Sequence, residues 1–337
     1  MRITTLIVKQ PIHSIPHIHC IVFCCIELYW ILFLVVFTMK IILCISLLVS
    51  AVTCFTPKLT TTTTTTTAST TATVRNWPTA LHAIPPAPVH NVVILPDATA
   101  VSKRIRDIVV AAATTAIAER GAFALAIPGG SILKMLVGKE MLGDWTALTT
   151  IAYVNHKCVA MDDGTTATHA KAMELFLNQW EGCNPIIMDG TNDGPVEAKN
   201  YEQKLKTLSQ TILPRDNQGL PVFDLALIGV GDDGHIGSLY PGREEVLEQT
   251  AWVLSVPMKS PPSISLSLPV MANAKQVIVA ACGVSDKYPQ GKSAGMQRAI
   301  VAEDETIQTF PAVGLRPVAT WIMDQAAASN LGDAYTS

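Results

Sequence analysis

A glycine-rich stretch in the second half of the chain carries the residues best suited to acid–base chemistry. GVGDDGHIGSLYPG (residues 229–242) places His235 two positions after Asp233, closely behind the apolar run FDLALI. A histidine exchanges a proton near neutral pH, and a neighbouring carboxylate can orient its ring and stabilise the charged form. We therefore expect His235 to act as a general base and Asp233 to support it.

Three other roles fit parts of the same stretch. The glycines match the spacing of a G-x-G-x-x-G dinucleotide fingerprint, but two acids stand where a pyrophosphate needs amides. Asp232, Asp233 and His235 are candidate metal ligands, but the sequence has no second cluster of histidine or cysteine to complete a site. A buried structural histidine is the third alternative. We expect neither a dinucleotide nor a metal at this loop.

Two further stretches place polar groups after apolar runs. AIPGGSILKML puts Gly129, Gly130 and Ser131 between a strand and a helix, where amides favour an anion such as phosphate and Ser131 can cap the helix. YVNHKCVAMDDG puts the segment Asn155 to Lys157 after another apolar run, where its side chains could bind polar groups of a substrate. An ordinary turn remains an alternative for the first stretch, and a solvated loop for the second.

The pattern from Val92 onward indicates elements that position these stretches. Short apolar runs alternate with longer amphipathic segments, which predicts a mostly parallel, doubly wound sheet in a three-layer α/β/α fold, with ligands at the carboxyl ends of the strands. The predicted strands are Val92–Leu95, Phe123–Ile127, Thr150–Val154, Phe223–Val230, Gln276–Cys282 and Val318–Met323. The predicted helices are Ala98–Arg120, Ser131–Lys139, Thr168–Trp180, Val196–Leu213 and Ser293–Ala302.

Composition excludes one class of partner and two kinds of scaffold. The formal net charge of -3 and the 15% share of charged residues provide no basic excess for neutralising nucleic-acid phosphates. Beyond the apolar leader only Cys158, Cys183 and Cys282 remain, widely spaced and without a C-x-x-C pair. We therefore expect no nucleic-acid partner, no disulfide framework and no zinc site.

The leader itself is apolar and then rich in threonine. Residues 21–55 could form one or two membrane helices, since about 18 apolar residues span a bilayer. From Met39, however, MKIILCISLLVSAVTCFTP has the lysine, apolar core and small residues of a signal peptide. The segment from Thr56 to Arg75 has no acidic residue and suits a transit peptide or linker.

These features predict domain boundaries and a destination. Residues 1–38 are an apolar leader or untranslated, residues 39–54 a signal peptide, residues 55–90 a transit peptide and linker, and residues 91–337 the folded domain. AVTCFTP, with Phe55, resembles the cleavage motif in the two-part plastid presequence of algae with secondary plastids. This resemblance implies plastid delivery through the secretory pathway and no membrane segment in the mature protein. A retained anchor, secretion and a cytoplasmic location are the alternatives.

The chemical stretches together resemble one family. FDLALIGVGDDGHIGSLYPG is similar to the 6-phosphogluconolactonase signature F-D-L-x-L-L-G-x-G-x-D-G-H-x-x-S-L-F-P-G. PGGSILKML resembles the family's S-G-G-S segment, PPSISLSLPVMANAKQVIVAACG its P-P-x-R-x-T-L-T-L-P-x-x-N-A-A segment, and GKSAGMQRAI its G-K-A-x-x-L-x-x-x-I segment. The similarity runs from Val92 to Gln325, and it implies the NagB/RpiA-like fold of the glucosamine-6-phosphate isomerase superfamily.

The resemblance also implies an activity. The family hydrolyses 6-phospho-D-glucono-1,5-lactone to 6-phospho-D-gluconate, the second step of the oxidative pentose phosphate pathway, without metal or organic cofactor. His235 would activate water with the support of Asp233, and the sugar-phosphate lactone would be the partner of a monomer or small homo-oligomer. The implied substrate-binding residues are Gly129, Gly130, Ser131, Asn155, Lys157, Ser238 and Lys292, with Lys287 competing for the phosphate.

One segment departs from the family pattern. Where the family reads D-E-R, this chain has Asn155-His156-Lys157, so two carboxylates are lost and a lysine replaces a bidentate arginine. This change either alters the substrate geometry or reduces activity, and it favours a non-catalytic sugar-phosphate-binding homologue as one alternative. Glucosamine-6-phosphate deaminase is another, because its loop G-x-G-x-D-G-H-I-A-F-N-E-P accommodates Ile236, but SLYPG lacks its asparagine and glutamate.

Overall fold

The computed structural model describes Val89, residues 91–283 and residues 291–335. The segments predicted as leader, signal peptide and transit peptide lie outside the described residues, except for Val89. Lys287, the competitor for the phosphate, also lies outside them. No helix within the described ranges is both long and apolar enough to cross a membrane.

Ten strands form two sheets. They are β1 (Val92–Leu95), β2 (Phe123–Ile127), β3 (Thr149–Tyr153), β4 (Asn155–Lys157), β5 (Asn184–Pro185), β6 (Leu225–Ile228), β7 (Val253–Val256), β8 (Ser263–Leu266), β9 (Gln276–Ala281) and β10 (Ala319–Asp324). The larger sheet has the order β1-β10-β9-β6-β2-β3-β5, and every neighbouring pair in it is parallel. The carboxyl ends of β9, β6, β2 and β3 therefore lie side by side at one edge.

Helices cover both faces of this sheet. They are α1 (Ala98–Arg120), α2 (Ser131–Met135), α3 (Thr168–Leu175), α4 (Gly194–Thr207), α5 (Leu268–Ala272), α6 (Ser293–Ile300) and α7 (Gln325–Ala328). Alternate residues of a strand enter opposite cores, because successive side chains of a strand point to opposite faces. Leu125 of β2 packs in one buried cluster with Ile105 of α1, whereas Ala126 packs in the other with Tyr201 of α4. The predicted three-layer α/β/α fold is confirmed.

The smaller sheet is antiparallel and has the order β4-β8-β7. In its register, Asn155 lies opposite Ser265 and Lys157 opposite Ser263. The interpretation of residues 155–157 as a solvated loop is therefore wrong. These residues form a strand because β8, distant in sequence, supplies the hydrogen-bonding partner that the polar segment cannot indicate by itself.

Four of the predicted helices are shorter in the structure, and among them α2 and α6 end at Met135 and Ile300 instead of Lys139 and Ala302. α4 begins at Gly194, where the Asp193 side chain accepts a hydrogen bond from the Val196 amide at 3.0 Å and caps the first turn. It ends at Thr207 instead of Leu213, and the Arg215 guanidinium donates to carbonyl groups of its last turn. α3 ends at Leu175, after which the chain enters a separate single turn.

Candidate active site

The loop after β6 holds a hydrogen-bonded histidine–aspartate pair. The Nδ1 atom of His235 lies 2.6 Å from Oδ1 of Asp233, and the same oxygen accepts the His235 backbone amide at 3.1 Å. An ionised carboxylate only accepts hydrogen bonds, so Nδ1 carries the proton and the lone pair resides on Nε2. The His235 side chain is 27% exposed. This arrangement leaves Nε2 of a partly exposed ring able to accept a proton from water.

The Asp233 carboxyl is held in its charged form. Burial acts to raise its pKa, but the hydrogen bonds from His235 and the charge of that ring outweigh burial, so the pKa of Asp233 lies below its usual value. Because this pKa is lowered, the carboxylate loses its charge only when the pH falls through the lowered value. Asp233 therefore stays ionised at neutral pH and can stabilise a protonated His235.

The glycines of the loop make room for the protein's own side chains. A Cβ atom added to Gly231 would lie 2.1 Å from the His235 ring, and one added to Gly234 would lie 2.4 Å from the Phe310 ring. Gly234 also has a φ of +83°, a conformation that favours glycine. Gly231 thus permits the His235 ring to fold back toward Asp233, and Gly234 leaves space for the Phe310 ring.

Replacing Gly231 with alanine is expected to lower kcat for the implied lactone hydrolysis at least about tenfold. The new methyl group would displace the His235 ring from its hydrogen bond with Asp233. Gly229→Ala is the matched control, since its nearest neighbour would be Ile132 Cδ1 at an ordinary 3.6 Å. Steady-state kinetics of both variants, with circular dichroism to verify folding, tests this. Equal activity of the two variants would show that the position of the His235 ring does not matter.

Strand β4 brings two predicted binding residues to the same loop. The Asn155 side-chain amide donates to Ser238 Oγ at 3.2 Å, and the Ser238 backbone amide donates to Ser265 Oγ at 3.1 Å. Alternation along the strand places Lys157 on the same face as Asn155 and His156 on the opposite face. Asn155 and Ser238 are therefore in direct contact. Lys157 lies two residues after Asn155, on the same face of β4.

The loop after β2 lies next to the loop that carries His235, because β2 pairs with β6. Gly130 is the N-cap of α2, with a φ of +80°, and no side chain caps this helix. The prediction that Ser131 caps it is wrong, because Gly130 occupies the cap position and Ser131 begins the first turn. A Cβ added to Gly129 would lie 3.1 Å from Thr168 Oγ1, so this hydroxyl packs against the loop.

The Lys292 side chain reaches the start of the loop that carries His235. Its ammonium group donates to the Val230 carbonyl oxygen at 2.6 Å. Helix α6 begins at the next residue, and a Cβ added to Gly295 would lie 3.7 Å from the Asp232 carbonyl oxygen. The Lys292 charge and the first turn of α6 therefore both adjoin the loop of His235.

Two residues near His235 are absent from the predicted site. The Tyr240 ring lies 4.7 Å from the His235 ring, centroid to centroid, and the Lys259 ammonium lies 4.8 Å from the Tyr240 ring centroid. Tyr240 falls within the glycine-rich stretch, so its position was a usable signal. Lys259 comes from the loop between β7 and β8, and no local pattern connects it to the histidine.

A metal-binding cluster is not found in the described parts of the chain: no group of three or more histidine, cysteine, aspartate or glutamate residues there could hold a metal ion. Asp232 and Asp233 both precede His235, and they belong to no such group. The chemistry that the loop supports is therefore proton transfer by a hydrogen-bonded histidine.

Comparisons with known proteins match most of the chain to one family. Residues 96–322 match the family described as glucosamine-6-phosphate isomerases/6-phosphogluconolactonase. The chain belongs to this family. A 6-phosphogluconolactonase of Bos taurus is 30% identical over 249 residues, covering 66% of this chain and 87% of that protein. A probable 6-phosphogluconolactonase of Schizosaccharomyces pombe is 28% identical over 251 residues, covering 70% of this chain and 93% of that protein.

A solved structure of another protein has the same fold. The crystal structure of 6-phosphogluconolactonase from Leishmania guyanensis superposes with a TM-score of 0.60 at 22% identity, covering 73% of this chain and all of that chain. This likeness concerns the arrangement of the sheet and helices. It places this family member among the α/β proteins that the sequence pattern predicts.

Proposed function

We propose that this family member hydrolyses 6-phospho-D-glucono-1,5-lactone to 6-phospho-D-gluconate, as the names of its two relatives suggest. The observation that carries the proposal is the bond of 2.6 Å between His235 and Asp233, which directs the lone pair of Nε2 away from the carboxylate. Lactone hydrolysis needs a base that activates water and an anion site for the phosphate. We infer that His235 supplies the base and that Lys292 and the turn after β2 supply the anion site.

In the proposed reaction, His235 Nε2 removes a proton from water while the water oxygen attacks the lactone carbonyl carbon. The tetrahedral intermediate then collapses, the bond to the ring oxygen breaks, and that oxygen takes the proton from the imidazolium. Asp233 stabilises the imidazolium through Nδ1 during the step. Water is thereby added across one ester bond, and neither a metal nor an organic cofactor is required.

We infer that positive charges and backbone amides bind the substrate. Lys292 and Lys157 would attract the phosphate, and the backbone amides from Gly129 to Ser131 would donate to the same anion or to the sugar. Asn155 and Ser238, joined by their hydrogen bond, would bind hydroxyl groups of the sugar. A lysine at position 157 contributes charge without the two-point geometry of an arginine, so we expect the phosphate to be held from several sides.

Lys292→Met is expected to raise KM for the lactone about tenfold or more with little change in kcat, because a charge-assisted hydrogen bond to the phosphate is lost. Lys287→Met is the matched control, since it removes the competing lysine. Initial rates over a range of lactone concentrations separate KM from kcat. A large increase in KM for Lys287→Met alone would transfer the phosphate contact to Lys287.

Two alternatives are tested by the choice of substrate. The family includes glucosamine-6-phosphate isomerases. The Asn155-His156-Lys157 segment, which departs from the family pattern, supports a protein that binds a sugar phosphate without catalysis. The full chain should hydrolyse the lactone well above the spontaneous rate and should release little ammonia from glucosamine 6-phosphate. Faster deamination than hydrolysis would select the deaminase. Binding of 6-phosphogluconate by calorimetry without any rate gain would select the binder.

We further propose that residues 91–337 form the catalytic domain and that residues 39–90 direct plastid delivery, with residues 1–38 untranslated or an apolar leader. The support is the signal-peptide pattern, Phe55 and the threonine-rich stretch. A fluorescent fusion of residues 39–80 should enter the plastid of an alga with secondary plastids. Reporter in the cytosol or at the cell surface would exclude this destination.

The family resemblance also suggests a monomer or small homo-oligomer. Size-exclusion chromatography of the purified protein should show one of these two states.

A further inference from the structure

His156 is a fully buried histidine on the opposite face of β4 from Asn155 and Lys157. Its Nδ1 atom lies 2.6 Å from the Lys157 carbonyl oxygen, and its Nε2 atom lies 3.0 Å from the His169 backbone nitrogen. The ring therefore bridges β4 and the first turn of α3 with both of its nitrogens.

These two partners determine the tautomer of His156. A carbonyl oxygen only accepts a hydrogen bond, so Nδ1 must carry a proton, and a backbone N–H only donates, so Nε2 must offer a lone pair. Adding a proton to Nε2 would set two donors against each other and break the bond to His169. The hydrogen-bond network thus requires neutral His156.

The surroundings of His156 favour the same state. Burial lowers the pKa of the ring, and the nearby His169 lowers it further, while the bond to the Lys157 carbonyl and the Glu197 carboxylate act in the opposite direction. The Tyr153 ring packs edge-on at 5.4 Å. Burial outweighs the raising contributions, so the charged form is disfavoured near neutral pH.

The bridge connects two walls of the candidate site. On one side it holds the main chain of β4, whose other face carries Asn155 and Lys157. On the other side it holds α3, whose first residue, Thr168, packs against Gly129. A change at His156 would therefore alter the position of β4, with Lys157, relative to the Gly129 turn.

We propose that His156 is a positioning residue that, as the neutral Nδ1–H tautomer, holds β4 and the amino end of α3 in register and thereby sets the geometry of the phosphate side of the site. The part of this inference that concerns phosphate rests on the proposed lactonase function. It assigns a purpose to the histidine in the Asn155-His156-Lys157 segment, where the family pattern has a carboxylate.

The tautomer is tested by proton–nitrogen correlation spectroscopy of the histidine rings in the full chain, with His156 assigned by comparison with His156→Gln. We expect the Nδ1–H pattern, unchanged at pH 6.5, where a free histidine is about half protonated. His169→Ala keeps the backbone N–H that His156 uses and should leave this pattern in place. An Nε2–H pattern, or a doubly protonated ring at pH 6.5, would overturn the assignment.

Kinetics test the positioning role. His156→Phe keeps a planar ring but removes both hydrogen bonds, and we expect KM for the lactone to rise about tenfold with kcat within about threefold. His156→Gln supplies one donor and one acceptor on one planar group, and it should restore most of the affinity. A folded His156→Phe protein with wild-type KM, or a His156→Gln protein as impaired as His156→Phe, would overturn the role.

The two measurements separate this inference from the proposed function. If the wild-type chain shows no lactone hydrolysis, the proposed function fails while the tautomer result still stands or falls by itself. If hydrolysis is present but the tautomer is wrong, only the inference about His156 fails. The spectra of the wild-type protein need only His156→Gln for their assignment, so the tautomer test remains decisive even where His156→Phe does not fold.

Discussion

Replacing Asp224 with alanine is expected to lower the free energy of unfolding by about 3–5 kcal/mol, the usual cost of removing one partner of a buried ion pair. Asp224 is 3% exposed and accepts both Nη1 of Arg120, at 2.7 Å, and Nη2 of the same guanidinium. It also accepts the Ala124 backbone amide at 2.8 Å. The substitution would leave a mostly buried guanidinium, whose side chain is 16% exposed, and a buried amide without these bonds.

An exposed ion pair provides the control for this prediction. Lys103 and Asp107 form a pair on α1, with side chains 66% and 45% exposed, so Asp107→Ala should cost less than about 1 kcal/mol. Urea unfolding followed by circular dichroism gives both values. Similar losses in the two variants would mean that the pair between Asp224 and Arg120 contributes no more than a surface contact.

The stability prediction also separates two roles within the glycine-rich signature. Asp224 stands in the FDL portion that precedes the loop, and its bonds join the last residue of α1 to the start of β2. His235 and Asp233 stand in the loop itself. A sequence comparison that weights all matching positions equally would not distinguish the residue that stabilises the sheet from those that carry chemistry.

The parallel sheet was predictable because each of its main strands is a buried, apolar run. FALAI is confirmed at Phe123–Ile127, and LALI forms β6 within the predicted Phe223–Val230. Both faces of these strands are covered, so the apolar pattern is continuous and easily recognised. The ends of the strands differ from the prediction, as in β6 (Leu225–Ile228), because hydrogen bonding and not hydrophobicity determines where a strand stops.

The antiparallel sheet was not predictable from local pattern. β4 consists of an asparagine, a histidine and a lysine, and β8 contains two serines among its four residues. Neither segment has the continuous apolar character of a buried strand. Their pairing depends on residues that are distant in sequence. The same pairing accompanies the burial of His156, although the sequence pattern does not distinguish His156 from its two polar neighbours.

The site shows the same division between local and distant contacts. His235 and Asp233 are two positions apart, so their hydrogen bond follows from the conformation of one short loop. Asn155 and Ser238 are 83 positions apart, and only the fold brings them together. The assignment of Ser131 as a helix cap failed because a glycine with positive φ can occupy the cap position without any side chain.

Replacing His235 with alanine is expected to reduce kcat for lactone hydrolysis by about 10²–10⁴-fold, the usual contribution of a positioned general base. Without the ring, water must lose its proton to solvent during its attack on the carbonyl. KM should change little, because the proposed phosphate contacts are made by lysines and by backbone amides of other loops. The rate that remains should approach spontaneous hydrolysis.

Asp232→Asn is the matched control for His235→Ala. Asp232 lies in the same loop and is exposed, but the proposed mechanism gives it no role. Its kcat should stay within about threefold of wild type, as expected for a surface substitution. A loss as large as that of His235→Ala would indicate that the charge of the loop, and not the base, supports the reaction.

The most direct test is the initial rate of lactone ring opening by the wild-type chain and by His235→Ala, measured with one lactone preparation at pH 7 and corrected for the buffer rate. Phosphorus NMR follows substrate and product in the same tube, and binding of 6-phosphogluconate verifies that the variant retains its site. We expect hydrolysis well above the spontaneous rate for wild type and at least about a hundredfold lower rate for the variant. A folded, product-binding His235→Ala protein with the wild-type rate would contradict the assignment of His235 as the general base.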